Sequence, residues 1–241
     1  MKRLASLFSV LLLLPPVLAQ EAKPNKDALK NLKLPGIQLN LKENSVDVTS
    51  TVTLTEGSLE FIACTKDTKE HESIIRVEAK PSHIHAALLL LGAKAGNPAI
   101  RKLVGDPEDA RWIDLPPKGS PISVSLVITD SKNETKELPI WEFISRYDEE
   151  KEVATKDEAK KRLKTFLFAG SHLTGGQKGK EKRYLADQSG SVISLSTFGD
   201  ELLCLPGVYG HENHALPWAV NPENLPKKDS KIILRLRPQK N

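Results

Sequence analysis

The sequence predicts an α+β fold in which a mainly antiparallel sheet packs on one buried apolar helix, within a single domain. Apolar and polar residues alternate in several short runs, a pattern that is typical of half-buried strands. The run of residues 84–91, which begins at Ile84 and ends at Leu91, is almost entirely apolar. Because this run offers no solvated face, we expect the sheet to cover it on most sides. No repeat and no Gly/Ser-rich or Pro-rich linker divides residues 34–241, and about 200 residues is a size that one core can support.

The first residues of the chain have the features of a secretory signal peptide, residues 1–19. Lys2 and Arg3 give it a basic start, an apolar stretch runs to residue 14, and Ala19 occupies the cleavage position. We expect cleavage after Ala19 and localisation in the periplasm or outside the cell, with no membrane span left after cleavage. The residue directly after Ala19 is Gln20 and not a cysteine, which argues against a lipid anchor. Residues 20–33 are then predicted to be a flexible basic tail.

The charge balance excludes some classes of partner. The formal net charge of +4 falls to +2 when the two positive charges of Lys2 and Arg3 are removed with the signal peptide. So small a charge does not favour a nucleic acid or an anionic membrane as the partner. We therefore expect no nucleic-acid partner.

Four strands are predicted before the apolar helix. They cover residues 37–41, 46–54, 59–64 and 73–79, where apolar residues alternate or strand-forming residues are enriched. Pro81 ends the last of these strands. Ser82 is a suitable N-cap for the helix, and Gly92 is a suitable left-handed C-cap.

The second half of the chain is predicted to return to β structure. Prolines and glycines interrupt residues 97–117, which indicates a long ordered loop. Residues 138–147 are predicted to form a short helix, and the charge-rich residues 148–164 a solvated helix or loop. We also expect strands at 122–128, 166–169 and 201–205, a hairpin at 183–196 and a closing strand at 231–236.

Several long motifs in the chain resemble those of one family. They are ACTKDTKEHES at residues 63–73, PSHIHAALLLLGAKAGNP at 81–98, FAGS at 168–171, YLADQSGSVIS at 184–194 and GDELLCLPG at 199–207. Together they resemble the YdjY-domain family of exported bacterial proteins over residues 34–238. The resemblance implies export and one folded unit, but no particular reaction. Some relatives are described as ferredoxins; an iron–sulfur cluster usually takes four cysteine thiolates, and since this chain has only Cys64 and Cys204, we expect no such cluster.

The two cysteines allow three interpretations. Cys64 and Cys204 both lie in apolar predicted strands of a chain that we expect to be exported. An oxidising compartment favours a disulfide between them, which would stabilise the fold by about 4–5 kcal/mol in the chain-entropy model. Two separate buried thiols, or a reactive or metal-bound Cys64, are the alternatives.

Histidines supply the other candidate metal ligands. A thiolate with imidazoles suits zinc or copper, and the candidates are Cys64, His71, His83, His85, His211 and His214. Helical positions two apart point in nearly opposite directions, so we expect that His83 and His85 do not bind one ion together. His211 and His214, three residues apart, would share one side of a helical turn.

The run from Glu70 to Ser73 is a candidate for catalysis. On a strand, His71 and Ser73 would lie on one side while Glu70 and Glu72 lie on the other. A Ser73–His71 pair could serve a hydrolase. The sequence contains no G-x-S-x-G, H-E-x-x-H, P-loop or C-x-x-C motif, however.

The leading interpretation is a non-enzymatic binding module for a protein, an envelope component or a small ligand. Its functional surface is predicted to include Cys64, Glu70, His71, Glu72, Ser73, His83 and His85. The first alternative is a metal-binding or redox protein that uses Cys64 with His71 and either His83 or His85. The second is a hydrolase that uses Ser73 and His71. We expect no cofactor other than zinc or copper.

Overall fold

The structure is a computed structural model that describes residues 34–129, 132–148, 153–176, 181–208 and 217–239. The predicted signal peptide, residues 1–19, and the predicted tail, residues 20–33, lie outside these ranges. The helices are α1 Pro81–Leu90, α2 Lys156–Arg162 and α3 Leu185–Ser189. The strands, in chain order, are β1 Ile37–Asn40, β2 Ser45–Val52, β3 Phe61–Thr65, β4 Ser73–Val77, β5 Ala95–Asn97, β6 Ile100–Val104, β7 Arg111–Leu115, β8 Lys118–Gly119, β9 Pro121–Thr129, β10 Thr135–Pro139, β11 Ile144–Asp148, β12 Val153–Thr155, β13 Phe166–Phe168, β14 Leu173–Thr174, β15 Arg183–Tyr184, β16 Ser191–Ser194, β17 Leu203–Cys204, β18 Trp218–Val220 and β19 Lys231–Pro238.

Eight of these strands form a closed, mixed β-barrel. Their order is β2-β19-β9-β13-β17-β16-β3-β4, and β4 pairs with β2 to close the ring. The pairs β3–β4 and β16–β17 are parallel, and the other neighbours in the ring are antiparallel. The predicted α+β fold, a sheet packed on one apolar helix, is therefore wrong: the protein is mainly β, and the sheet closes on itself.

The barrel core uses alternate residues of strands that are far apart in the sequence. Leu234 of β19 lies opposite Val48 of β2 on one side and Leu126 of β9 on the other. All three side chains are fully buried. Because successive strand residues point to opposite faces, Arg235 lies on the outer face of the same sheet.

Helix α1 covers the predicted apolar run but is buried on one face only. Its buried residues are Pro81, Ile84, Ala87 and Leu88, whereas Leu89 is 48% exposed. The helix lies against β1, β2 and α3, so the expectation that it is covered on most sides is wrong. The predicted left-handed cap is present, with Gly92 at φ +85°. Within the described ranges, no helix has the length and apolar character needed to cross a bilayer.

Three segments differ in secondary structure from the sequence-based expectation. Part of the predicted loop at 97–117 forms a hairpin of β6 and β7, in which Leu103 lies opposite Trp112. The predicted helix at 138–147 is a 3-10 turn, Ile140–Phe143, that leads into β11. The predicted hairpin at 183–196 contains α3 between β15 and β16. In each case the residue pattern located an ordered segment but did not determine its type.

The two parallel pairs are joined by short connections that pack together. These connections, residues 66–72 and 195–202, are shorter than the dozen or so residues that a parallel crossover usually takes. The ammonium group of Lys69 lies 4.4 Å from the ring centroid of Phe61 and 4.9 Å from that of Phe198. The two rings stack with their centroids 4.6 Å apart. Lys69 also donates a hydrogen bond to Ser191 Oγ at 2.8 Å, so the predicted functional turn is held against the barrel.

Candidate functional site: the α1 cleft

Cys64 and Cys204 are free, buried thiols. They lie on β3 and β17, and β16 runs between these two strands. Two strand spacings separate Cα atoms by roughly 9–10 Å, which exceeds the limit of about 7 Å for a disulfide. The disulfide interpretation is therefore wrong for this structure, and the alternative of two separate thiols is the one observed. Burial raises the pKa of Cys64, and it also raises that of Cys204, where the Glu201 carboxylate adds to the effect.

The candidates between Glu70 and Ser73 have separate environments. Ser73 is fully buried, and its hydroxyl donates to the Lys69 carbonyl oxygen at 2.7 Å. The His71 side chain is 78% exposed, and its Nε2 lies 3.7 Å from a carboxylate oxygen of Glu72. Ser73 is therefore bound to the backbone while His71 faces solvent, and the structure does not assemble the predicted Ser73–His71 pair.

The two acidic residues of this turn have opposite pKa shifts. Burial acts to raise the pKa of Glu70, but hydrogen bonds from the Asp67 N–H and from Arg76 outweigh it and lower the pKa. The Arg76 guanidinium lies 2.9 Å from the Glu70 carboxylate. Burial, together with the nearby Glu60 carboxylate, raises the pKa of Glu72. Glu70 thus serves a local ion pair that fixes the turn.

His83 and His85 point to different surroundings, as the helical spacing predicts. His83 Nδ1 is buried without a hydrogen-bond partner among the described residues. His85 Nδ1 lies 2.8 Å from the Tyr184 hydroxyl oxygen. Nowhere in the described ranges do three His, Cys, Asp or Glu side chains come together as a metal site. His211 and His214 lie outside the described residues.

Beside His85 the surface opens into a cleft of about 450 Å³, called here the α1 cleft. Helix α1 forms one wall, and β5, the 170–173 segment and β15 form the others. Its lining residues are uncharged or, for the histidines, weakly basic: Ser82, His85, Ala86, Leu89, Ala95, Gly96, Gly170, Ser171, His172, Leu173 and Tyr184. Leu89 and Leu173 are 48% and 66% exposed. The cleft therefore combines apolar walls with a few polar groups, the usual character of a small-molecule site.

A chain of hydrogen bonds fixes the orientation of the His85 ring. The Tyr184 hydroxyl donates to the Gly170 carbonyl oxygen at 2.8 Å. A carbonyl oxygen can only accept, so this bond uses the single hydroxyl proton of Tyr184. His85 Nδ1 must then carry the proton in its 2.8 Å contact with the Tyr184 oxygen. The imidazole also meets the Phe168 ring edge-on, with centroids 4.8 Å apart.

The floor of the cleft requires an unusual backbone at Gly170 and Ser171. Both residues have positive φ, +83° and +52°. A Cβ atom on Gly170 would lie 2.8 Å from the Ala95 Cβ and 3.2 Å from His85 Cε1, so only glycine fits. Ser171 is held in the left-handed region because its hydroxyl donates to the Asp200 carbonyl at 2.6 Å and accepts from the Ala186 N–H at 3.1 Å.

Helix α1 is fixed at its start by a carboxylate from another element. Asp187 of α3 accepts hydrogen bonds from the Ser82 N–H at 2.8 Å and from the Ser82 hydroxyl at 2.6 Å. No residue next to the helix supplies a side-chain cap of its own. Asp187 therefore caps α1 and holds the Ser82 side of the cleft in place.

The family model of the YdjY domain matches residues 37–237, most of the chain. The protein belongs to the YdjY-domain family. No curated protein and no solved structure matches the chain significantly.

The α1 cleft brings together three of the motifs that carried the resemblance to the YdjY family. PSHIHAALLLLGAKAGNP supplies α1 and β5, FAGS supplies Gly170 and Ser171, and YLADQSGSVIS supplies Tyr184 and the capping Asp187. These motifs are far apart in the sequence and meet only in the folded YdjY domain.

Sequence reasoning identified one member of this site and missed the others. His85 was among the predicted residues, whereas Ser82 was considered only as a helix cap and Tyr184, Gly170 and His172 were not considered. The available signal was the glycine in FAGS followed by two polar residues, since such a turn often exposes groups beside a rigid scaffold. The partners of His85 in the YdjY domain could not be found without knowing that β15 lies beside α1.

Proposed function

We propose that this YdjY domain is a binding module that holds a small, partly apolar ligand in the α1 cleft. The observation that carries the proposal is the cleft itself, a space of about 450 Å³ with apolar walls, two exposed leucines at its opening and a histidine in a fixed orientation. Volumes of about 300–1,000 Å³ are typical of sites for small molecules. The proposed ligand is a small molecule or a component of the cell envelope.

The rigid surroundings of the cleft support binding more than chemistry. Among the side chains that line it, the hydroxyls of Ser82 and Tyr184 already donate to Asp187 and Gly170. Neither is therefore free to act as a nucleophile with His85 as its base. A preformed cavity of this kind reduces the ordering cost of binding.

The test is a titration with Nile red, an uncharged dye whose fluorescence rises in apolar surroundings. Dye binding to the wild-type protein is compared with binding to Ala86→Trp, which fills the cleft from α1. The matched control is Ala110→Trp, which adds the same side chain at an exposed position of the β6–β7 turn. We expect Ala86→Trp to weaken binding about ten-fold or more while Ala110→Trp leaves it unchanged. Equal binding by the wild type and both variants, or no binding at all, would refute the proposal.

We also propose that the protein acts in the periplasm or outside the cell. The basic and apolar pattern of residues 1–19 supports this proposal. Expression of the full chain in a Gram-negative bacterium, followed by intact-mass analysis of the periplasmic fraction, tests it. The expected mass is that of a chain beginning at Gln20, and a full-length chain found only in the cytoplasm would contradict the proposal.

A further inference from the structure

We infer that the ligand of the α1 cleft is an uncharged molecule that donates a hydrogen bond, through an O–H or N–H group, to Nε2 of His85. This inference rests on the proposed function and names the chemical class of the ligand. An alcohol or an amide attached to an apolar body belongs to this class. A carboxylate, a phosphate or an alkylammonium ion does not.

The described part of the cleft lining carries no permanent charge. Among the described residues that line the cleft, none is Asp, Glu, Lys or Arg. The nearby Asp187 carboxylate is already occupied by the N–H and hydroxyl of Ser82. A charged ligand would therefore lose part of its hydration without gaining an opposite charge, which is costly. An uncharged ligand avoids this cost.

The protonation state of the His85 ring also favours a ligand that donates a hydrogen bond. Because Nδ1 carries the proton that is donated to Tyr184, the neutral ring has its lone pair on Nε2. No hydrogen bond to Nε2 occurs among the described residues, and His85 is only partly buried. Burial lowers the pKa of His85, so the neutral ring is favoured at neutral pH.

The oriented hydroxyl groups of the lining have no proton left for a ligand. The hydroxyl protons of Ser82, Tyr184 and Ser171 are donated to Asp187, Gly170 and Asp200. These hydroxyl groups therefore present only lone pairs to a ligand. His172, when neutral, offers one donor and one acceptor, so it does not discriminate between ligands that donate a hydrogen bond and ligands that only accept one. A ligand with only acceptor atoms would leave the Nε2 lone pair without a donor, whereas a hydroxyl or amide proton satisfies it.

Competition against bound Nile red tests the inference with matched probes. Octan-1-ol and 1-methoxyheptane have the same atoms and similar length, but only the alcohol carries an O–H. Octanoate and octylammonium have the same chain with a negative or a positive charge at pH 7.5. We expect octan-1-ol to displace the dye at a concentration about ten-fold lower than each of the other three, as one hydrogen bond of about 1.4 kcal/mol allows. Equal displacement by the ether, or better displacement by either ion, would overturn the inference.

Variants of His85 separate the hydrogen bond from the shape of the cleft. His85→Phe keeps a ring but has no acceptor, so we expect the preference for octan-1-ol over 1-methoxyheptane to disappear. His85→Gln retains an acceptor oxygen and is expected to restore part of the preference. If His85→Phe keeps the full preference, the inference is wrong although the cleft still binds ligands. If Nile red does not bind the wild-type protein, the proposed function fails and this inference fails with it.

Discussion

Asp187 stabilises the start of helix α1 although it belongs to another helix. Its carboxylate accepts two hydrogen bonds from Ser82, and the N-cap residue of the helix, Lys80, makes no side-chain capping hydrogen bond. We expect Asp187→Ala to lower the free energy of unfolding by about 1 kcal/mol, the usual cost of losing a helix cap. Chemical denaturation followed by circular dichroism measures this change.

Two further variants make the test of this cap specific. Asp187→Asn keeps an oxygen that can accept from the Ser82 N–H, so we expect it to lose less stability than Asp187→Ala. Glu108→Ala removes an exposed carboxylate from the β6–β7 turn and is expected to change stability by no more than about 0.5 kcal/mol. The capping role would be refuted if Asp187→Ala behaved like Glu108→Ala.

The two thiols give a second prediction for single residues. Cys64 is fully buried and Cys204 is 6% exposed, and burial raises the pKa of both, so the reactive thiolate form is suppressed. We expect iodoacetamide to label neither cysteine rapidly in the native protein, and to label both after denaturation without a reductant. Intact-mass analysis counts the labels. A denatured protein that accepts none, with a mass lower by two hydrogens, would show a disulfide instead.

At this scale, the sequence indicated the chemistry of a residue better than its partners. His85 was recognised as a candidate because an imidazole beside a helix start is a common functional group. Its partner Tyr184 is 99 positions away, and nothing in the local pattern connects the two. Ser73 shows the opposite case. Its residue type suggested a nucleophile, but the side chain is fully buried and its hydroxyl donates to a backbone carbonyl oxygen, which residue type alone does not reveal.

At the level of strands, an ion-pair network links the outer faces of β2, β10 and β19. The Arg235 guanidinium contacts both oxygens of Asp47 at 2.6 Å and one oxygen of Glu137 at 2.8 Å. Glu137 also accepts from Arg237 at 2.9 Å and from the Ser125 hydroxyl at 2.8 Å. The network therefore connects β2, β19 and β10 across β9, which supplies Ser125.

This network predicts a pH dependence of stability. Hydrogen bonds from Arg237, and then from Ser125 and Arg235, lower the pKa of Glu137 from 4.5 to about 2 against the effect of burial. The folded protein therefore binds fewer protons than the unfolded chain, and the contribution of Glu137 is complete above pH 4.5 and is lost as the pH falls through about 2. We expect Glu137→Gln to cost about 1 kcal/mol at pH 7, with a difference from the wild type that disappears at about pH 2.

Urea denaturation at a series of pH values measures this difference. Glu56→Gln, which removes an exposed carboxylate, is the control and is expected to follow the wild-type curve. A difference between Glu137→Gln and the wild type that does not change between pH 7 and pH 2 would contradict the role of the network.

The β6–β7 hairpin is expected to contribute little to the stability of the barrel. Trp112, on this hairpin, is 63% exposed, whereas Trp218 of β18 is 2% exposed. We expect Trp112→Ala to change the free energy of unfolding by about 0.5 kcal/mol or less. Trp218→Ala is expected to cost about 3–5 kcal/mol because it leaves a cavity in the core. Similar costs for the two variants, measured by denaturation, would show that the hairpin packs on the domain.

At this scale, apolar periodicity predicted the positions of the strands well, but the apolar composition of the helix did not predict how much of it is buried. β2, β9 and β19 follow the predicted alternation because each has one buried face. The helix was predicted at nearly the observed position, but its apolar side chains were taken as evidence of burial on most sides. Leu89 shows the error: it is apolar and 48% exposed, at the opening of the α1 cleft.

For the whole molecule, closure of the barrel depends on its last strand. β19 pairs with β2 on one side and β9 on the other. We expect Leu234→Ala, at a fully buried position of β19, to cost about 2–5 kcal/mol. Ile233→Ala, the next residue on the opposite face and only partly buried, is expected to cost clearly less. Equal losses in a denaturation experiment would contradict the assignment of the two faces.

The closed barrel could not be predicted from the sequence because its pairings are remote. The alternation in β19 predicts a strand, but not that Leu234 lies between Val48 and Leu126. The parallel pairing of β3 with β4 could not be predicted either, because a connection as short as residues 66–72 usually joins antiparallel neighbours. Local patterns therefore predicted the pieces, and their arrangement followed from contacts between distant segments.

The position of β19 also makes the ring vulnerable before folding is complete. β19 follows every other strand of the ring in the sequence, yet it lies between β2 and β9. Until β19 docks, β2 and β9 each lack the neighbour that joins them. A chain in which β19 has not yet docked therefore exposes two open strand edges with which other chains can pair.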